Sequence, residues 1–238
     1  GKTNIVANLG YSFARMGQKV LILDADLGLG NLDVLLGLAP KYNLSHVFMG
    51  EKTVGEIIVE GPGNMLILPA SSGIQELTQL TPEQKVQILS ELDGVIDSVD
   101  LLLIDTAAGI SSNVMDFNVT AQEIIVVVSP EPTAITDAYA LVKVLSTDHR
   151  RRRFDIVVNQ AADEEEGARV FRQFQMVSGN FLDVELNHLG TVVSDPQVGQ
   201  AVRRQKPFVL ASHFGPAARA VRRIAGELLQ QVTVSAKA

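Results

Sequence analysis

The chain has 238 residues, a formal charge of −7, 46% hydrophobic and 5% aromatic residues, and neither cysteine nor tryptophan. The length suits one large doubly wound core or two small ones. The charge denies an overall basic field for nucleic acid, and zero cysteines exclude disulfides and thiolate metal sites while fitting a reducing compartment.

In chain order, Lys2 to Met16 sets Ile5, Leu9 and Phe13 at spacing four, with Gly17 as a left-handed stop, which predicts a helix. Lys19 to Leu23 then reads as a strand. Further short runs of Leu and β-branched residues follow at Met65 to Leu68, Leu101 to Ile104, Ile124 to Val128, Phe154 to Val158 and Leu189 to Val193. Helical stretches separate them: Pro82 to Ile96, Asn113 to Ala121, Ile135 to Leu145, Gly167 to Phe181, Gln197 to Arg204 and Pro216 to Gln231. This alternation predicts right-handed crossovers and an α/β fold, a doubly wound, mostly parallel sheet flanked by helices. No linker rich in Pro, Gly or Ser interrupts residues 1–238, so one domain is expected. No apolar run approaches the roughly 18 residues of a spanning helix and no signal peptide is visible, so a cytoplasmic protein is expected. With Gly1 in place of a starting Met, the numbering is expected to begin inside a longer natural chain.

Ligands of such sheets sit beyond the carboxyl ends of the strands, where Asp24, Asp105, Ser129 and Asn159 fall. Gly1-Lys2-Thr3, opening a helix, is the tail of a phosphate-binding loop of the form G-x-x-x-x-G-K-[ST]. In such a loop backbone amides hold phosphate, Lys bridges its oxygens and the hydroxyl meets Mg2+. The tripeptide alone equally fits an ordinary helix start. It gains weight from Asp24-Ala25-Asp26-Leu27-Gly28-Leu29-Gly30-Asn31, where two carboxylates past a buried strand need a cation or solvated partners. Mg2+ suits them, because it takes a few carboxylates together with phosphate oxygens and water. The third piece is the apolar strand that delivers Asp105, followed by Thr106-Ala107-Ala108-Gly109, whose Gly could let the backbone swing toward a γ-phosphate.

With these three motifs together, the chain resembles the MinD/ParA ATPases of the P-loop NTPase class, through essentially its whole length. The stretch Glu131-Pro132-Thr133-Ala134-Ile135-Thr136-Asp137-Ala138-Tyr139-Ala140-Leu141 is similar to the flagellar FlhG/FleN branch rather than the division-site branch. The resemblance implies ATP and Mg2+ as cofactors, with Gly1, Lys2 and Thr3 at the phosphates. Thr3, Asp24 and Asp105 would surround the metal, and Asp26 would orient the attacking water. Gly109 would sense the γ-phosphate, Asn159 would read the adenine edge, and Asp195-Pro196 would wall the base. It implies slow hydrolysis and an ATP-dependent homodimer. Implied partners are the SRP-type GTPase FlhF, flagellar C-ring proteins or a flagellar transcription regulator. The family's second lysine and first strand would precede Gly1, so the chain reads as cut inside the phosphate loop and is expected to fold poorly from that point.

Other features have plainer readings. Ala217, Val221, Ile224 and Leu228 form an apolar stripe beside Arg219, Arg222 and Arg223; a docked helix needs that stripe, although a peripheral membrane contact would use it too. The tail after Gln231 does not continue the pattern. His149 to Arg153 reads as a solvated connector, Asp163 to Glu166 as an acidic helix start, and the four histidines lack metal-ligand spacing. The alternatives are a MinD-like division-site ATPase, a ParA-like partition ATPase, which the charge disfavours, and a non-hydrolysing interaction module.

Overall fold

The computed structural model describes residues 1–27, 30–70 and 81–235; Gly28, Leu29 and the tail at 236–238 lie outside them. The first elements are α1 (Lys2–Arg15), β1 (Val20–Ala25), α2 (Leu32–Leu36), α3 (Leu44–Phe48), α4 (Val54–Ile57), β2 (Val59–Glu60), β3 (Leu66–Leu68), α5 (Pro82–Ile96) and β4 (Leu101–Thr106). Then come α6 (Ser112–Thr120), β5 (Ile125–Val128), α7 (Pro132–Thr147), β6 (Arg153–Ala161), α8 (Glu164–Gly179) and β7 (Glu185–Val193). The last are α9 (Pro196–Arg203), α10 (Phe208–Ala211) and α11 (Pro216–Ser235). Contacts gather these into two compact units, one of Lys2–Ala107 with Gln200–Ala211, the other of Gly1, Ala108–Gly199 and Ser212–Ala238.

In the first unit the strand order is β2-β3-β1-β4. β1 runs parallel to both neighbours, and short β2 is antiparallel to β3. Every residue of β1 is buried, as its unbroken apolar run requires of a central parallel strand. Among the described residues β4 pairs only with β1, and Leu101 to Ile104 are accordingly only half-buried. Helix α1 lies close on this sheet because Gly10 has no side chain: a Cβ there would stand 2.5 Å from Ile22 Cδ1 and 3.5 Å from Leu103 Cδ1. Helices α2, α3 and α4 and strand β2 escaped periodicity, being too short to show it. Two of them carry caps instead: Asn43 accepts from the Ser45 amide at 3.0 Å, and the Thr53 amide donates to Glu56 at 3.0 Å.

In the second unit the order is β5-β6-β7, all parallel. Strands β6 and β7 each run for nine residues, beyond the five-residue cores predicted. Two irregularities bend them. Ile156 faces His188 but Val157 faces Gly190, so Leu189 is an extra residue in β7. Asn159 faces Val192 but Ala161 faces Val193, so Gln160, at φ 61°, is an extra residue in β6. Helix α8 presses on β7 where Gly167 meets Thr191; a methyl group at Gly167 would collide with that side chain.

Helix α11 buries Ala217, Val221, Ile224 and Leu228, the predicted stripe, with Ile224 against Gly190. It continues to Ser235, beyond the predicted end at Gln231. The acidic start of α8 is capped by Asp163, which accepts from the Glu166 amide at 2.7 Å. The basic connector is structural as well: Arg151 donates to the Ala121 carbonyl and Arg152 to the Ser146 carbonyl.

Candidate functional site

Parallel pairing puts the tips of β1 and β4 side by side, with Asp24 facing Asp105. Both carboxyls are 2% exposed. Asp24 stays in place because its two oxygens accept backbone amides, Oδ1 from Asp26 and Oδ2 from Leu32, each at 3.2 Å. The Leu32 bond ties the first turn of α2 to the strand tip. Gly30 makes room for it: a Cβ at Gly30 would stand 2.6 Å from Ala70 Cβ and 2.9 Å from Asp24 Oδ2. Sequence reasoning stressed the carboxylates of this loop and missed the amide of Leu32, whose signal was the glycine two residues before it.

Burial pushes the Asp24 carboxyl up to about 7; the neighbouring charges of Asp105 and Asp26 add to this, and the two amide bonds oppose it. Burial likewise pushes Asp105 up to about 6, against the pull of a hydrogen bond from Thr3 and the charge of Lys2. Thus the first turn of α1 brings Lys2 and Thr3 to the β4 tip, and Asp26 acts on the same carboxyl. Lys2, Thr3, Asp24, Asp26 and Asp105, from three separate motifs, come together in one unit.

Asp105 Oδ1 is buried and has no hydrogen-bond partner. An orphaned carboxylate oxygen beside a hydroxyl and a second buried carboxyl is under-neutralised, and a divalent cation fits it. Among the described residues no group of three or more His, Asp or Glu could hold a metal by itself. A cation here therefore needs further oxygens from a ligand or water, the shell in which Mg2+ is usually held, by one or two carboxylates with phosphates and retained waters.

The remaining predicted residues lie in the second unit. Gly1 abuts Asn159, so that any side chain at Gly1 would run into the Asn159 amide. Gly109 takes a left-handed φ of 95°, with no atom within 4 Å of where a Cβ would sit. It precedes exposed Ile110 and the Ser111 cap of α6. Asp195 Oδ1 accepts from the Gln197 amide at 2.9 Å, which fixes the turn through Pro196 into α9.

Two further polar residues of the first unit were not singled out in the sequence. Asn8, 1% exposed, donates to the Asn4 carbonyl at 2.7 Å and accepts from the Val209 amide at 2.9 Å. Its signal was available: it is a polar residue on the buried face of α1, next to Leu9. Gln205, at φ 53°, donates to the Val34 carbonyl at 2.8 Å.

Residues 1–157 match the family described as AAA domain. The chain is 41% identical over 225 residues to the antiactivator FleN of Pseudomonas aeruginosa, covering 94% of this chain and 80% of that protein. It is 32% identical over 237 residues to the flagellum site-determining protein YlxH of Helicobacter pylori, covering 99% and 80% respectively. The fold superposes with TM-score 0.79 and 25% identity on the septum site-determining protein MinD of Pyrococcus horikoshii in complex with Mg-ADP, covering 100% of this chain and 94% of that one. With the motif order, the paired strand tips and these likenesses in agreement, the chain belongs to the MinD/ParA family of P-loop ATPases, within its flagellar FlhG/FleN branch.

Proposed function

We propose that this protein is a single P-loop ATPase domain that binds and slowly hydrolyses ATP with Mg2+, dimerises with ATP bound, and regulates flagellar number or placement. The observation that carries the chemistry is the buried Asp105 carboxyl with one unpartnered oxygen, next to Thr3, Lys2 and Asp24. The flagellar role rests on the relatives FleN and YlxH.

In this reading the amides at Gly1 and the ammonium of Lys2 receive the phosphates at the start of α1, where the helix dipole favours anions. Thr3, Asp24 and Asp105 supply oxygens around the cation. Mg2+ bound there would neutralise phosphate oxygens as charge develops on them. Asp26, just past β1 and only half-buried, is free to orient a water. Gly109 can change backbone conformation with the γ-phosphate because it lacks a side chain and open space lies where a Cβ would stand. Asn159 offers a donor and an acceptor side by side for the adenine edge, beside the Asp195-Pro196 turn. No arginine lies in these motifs, which accords with slow turnover.

The partners that suit this role are the GTPase FlhF, C-ring proteins or a flagellar transcription regulator, acting in the cytoplasm or at its membrane. Among the described residues no helix is long and apolar enough to cross a membrane. The test is full-length Asp26→Ala, expected to bind MgATP and dimerise while turnover drops about a hundredfold or more. Equal turnover in variant and parent would reject Asp26 as the water-orienting residue. Absence of turnover in the parent would favour the non-hydrolysing module, and salt-sensitive binding to random DNA would favour a partition ATPase.

A further inference from the structure

From Pro196 to Gly226 the chain contains no carboxylate, although its overall charge is −7. Within the first unit this stretch supplies a turn whose residues Val202, Arg203, Arg204, Gln205 and Lys206 are all exposed. Leu210, a few residues on, is 45% exposed. The side chains of Arg203, Arg204 and Lys206 form no ion pair among the described residues. Arg203 ends α9, where the helix dipole welcomes a cation, but Arg204 and Lys206 lie beyond the helix and have no such local reason.

The turn is also held in a conformation it would not adopt unaided. Gln205 sits at φ 53°, a left-handed geometry that non-glycine residues rarely accept. It is kept there from two sides. Its side-chain amide donates to the Val34 carbonyl in the middle of α2, and its Cβ stands 3.2 Å from where a Cβ on Gly37, the left-handed cap of α2, would be. Strain of this kind persists only where the surroundings over-determine it, and it accumulates at recognition sites and switches.

Both ends of that support lead to the phosphate end. Helix α2 begins at Leu32, whose amide holds the Asp24 carboxyl. Three residues after Lys206, the Val209 amide donates to Asn8 on α1, the helix that opens with Lys2 and Thr3. The turn is therefore bonded directly to α2 and, through the short chain to Val209 in α10, tied to α1. A shift in either α1 or α2 moves one of its anchors.

We propose that the turn Val202–Lys206, with Leu210, is a docking surface for a carboxylate-rich segment of a partner protein, coupled to the nucleotide site through Gln205 and Asn8. The coupling rests on the proposed ATP binding, whereas the docking does not. Two adjacent arginines present guanidinium forks that match carboxylates in bidentate pairs, and Val202 and Leu210 add apolar contact. An anionic membrane is a poorer occupant. Three cations at about 1 kcal/mol each give only millimolar attachment. Nucleic acid would require a longer cationic track than three residues offer.

The test uses full-length protein, poly-L-glutamate as the acidic probe and a fluorescent ATP analogue with Mg2+. The parent is expected to bind the probe in a salt-sensitive manner, and Arg203→Glu/Arg204→Glu to weaken that binding about tenfold or more while leaving nucleotide affinity without probe unchanged. Probe binding is expected to change nucleotide affinity about fivefold or more, and by linkage nucleotide should change probe affinity equally. Gln205→Gly, which accepts the left-handed φ but loses the bond to Val34, should keep the probe and lose this mutual effect. Undiminished probe binding by the charge-reversed variant overturns the docking surface. So does arginine-dependent binding of anionic vesicles or duplex DNA without binding of the probe. Probe binding with unchanged nucleotide affinity overturns the coupling. If the parent binds no nucleotide, the ATPase reading and the coupling fall together, and the probe titration still decides the docking surface.

Discussion

Asp24 and Asp105 are carboxyls that the fold discourages from ionising: burial, then mutual repulsion, hold Asp24 near 7, and burial holds Asp105 near 6. Because both lie above the unfolded value of 3.8, the folded chain binds protons more tightly than the unfolded one between the two limits. The stability of nucleotide-free protein should therefore decline as pH rises from about 4 through 7, by up to roughly 4 kcal/mol from Asp24 alone. Urea denaturation at a series of pH values checks this, and Asp105→Asn should flatten the profile and raise stability at pH 8. A profile that rises across this window would show that the carboxyls are already neutralised. The aspartates themselves were legible in the sequence because a carboxylate at the end of an apolar run is conspicuous. Asn8 was recognisable as a polar residue on a buried face, but its partner, the Val209 amide, was not, and nor were the Leu32 amide and the bond from Gln205 to Val34, because backbone groups far along the chain leave no mark in a side-chain pattern.

Among elements, α1 is held by two unlike devices, the bare surface of Gly10 against β1 and β4 and the buried Asn8 bond to Val209. Asn8→Ala leaves the Val209 amide without a partner and should cost about 1–3 kcal/mol in chemical denaturation, with α10 exchanging its amide hydrogens faster than β1. Helix α8 depends likewise on Gly167. Gly167→Ala forces a methyl group into Thr191 and should lower stability by about 1–3 kcal/mol, and pairing it with Thr191→Ser should restore part of the loss. The long helices and the six apolar strands could be read from periodicity and composition. The short helices α2, α3, α4 and α10 could not, because four or five residues complete little more than one turn and bury only two or three side chains apiece. Strand ends were underestimated for a different reason: Arg153, Glu185 and Asn187 are polar, yet they belong to β6 and β7, where Asn187 donates to buried Asp155 at 2.7 Å.

For the molecule as a whole, the ATPase reading predicts that Mg2+ and nucleotide together stabilise it far more than either alone. At a hundredfold excess over the dissociation constant the gain should be about 2.7 kcal/mol, readable as a rise in Tm. Nucleotide that stabilises equally well in EDTA would speak against a cation held by Thr3, Asp24 and Asp105. The paired irregularities of β6 and β7 act over a similar range. The extra residue at Leu189 sets the strands out of step and the extra residue at Gln160 sets them right again, so only the rungs from Val157 to Asn159 are displaced. The adenine-edge candidate Asn159 is the last of those rungs. Deleting either residue alone would leave one displacement uncorrected and turn the following side chains to the opposite face of the sheet. Deleting both would restore an unbroken ladder and spare the hydrophobic interior while re-aiming Asn159, so this region should tolerate a double deletion better than a single one.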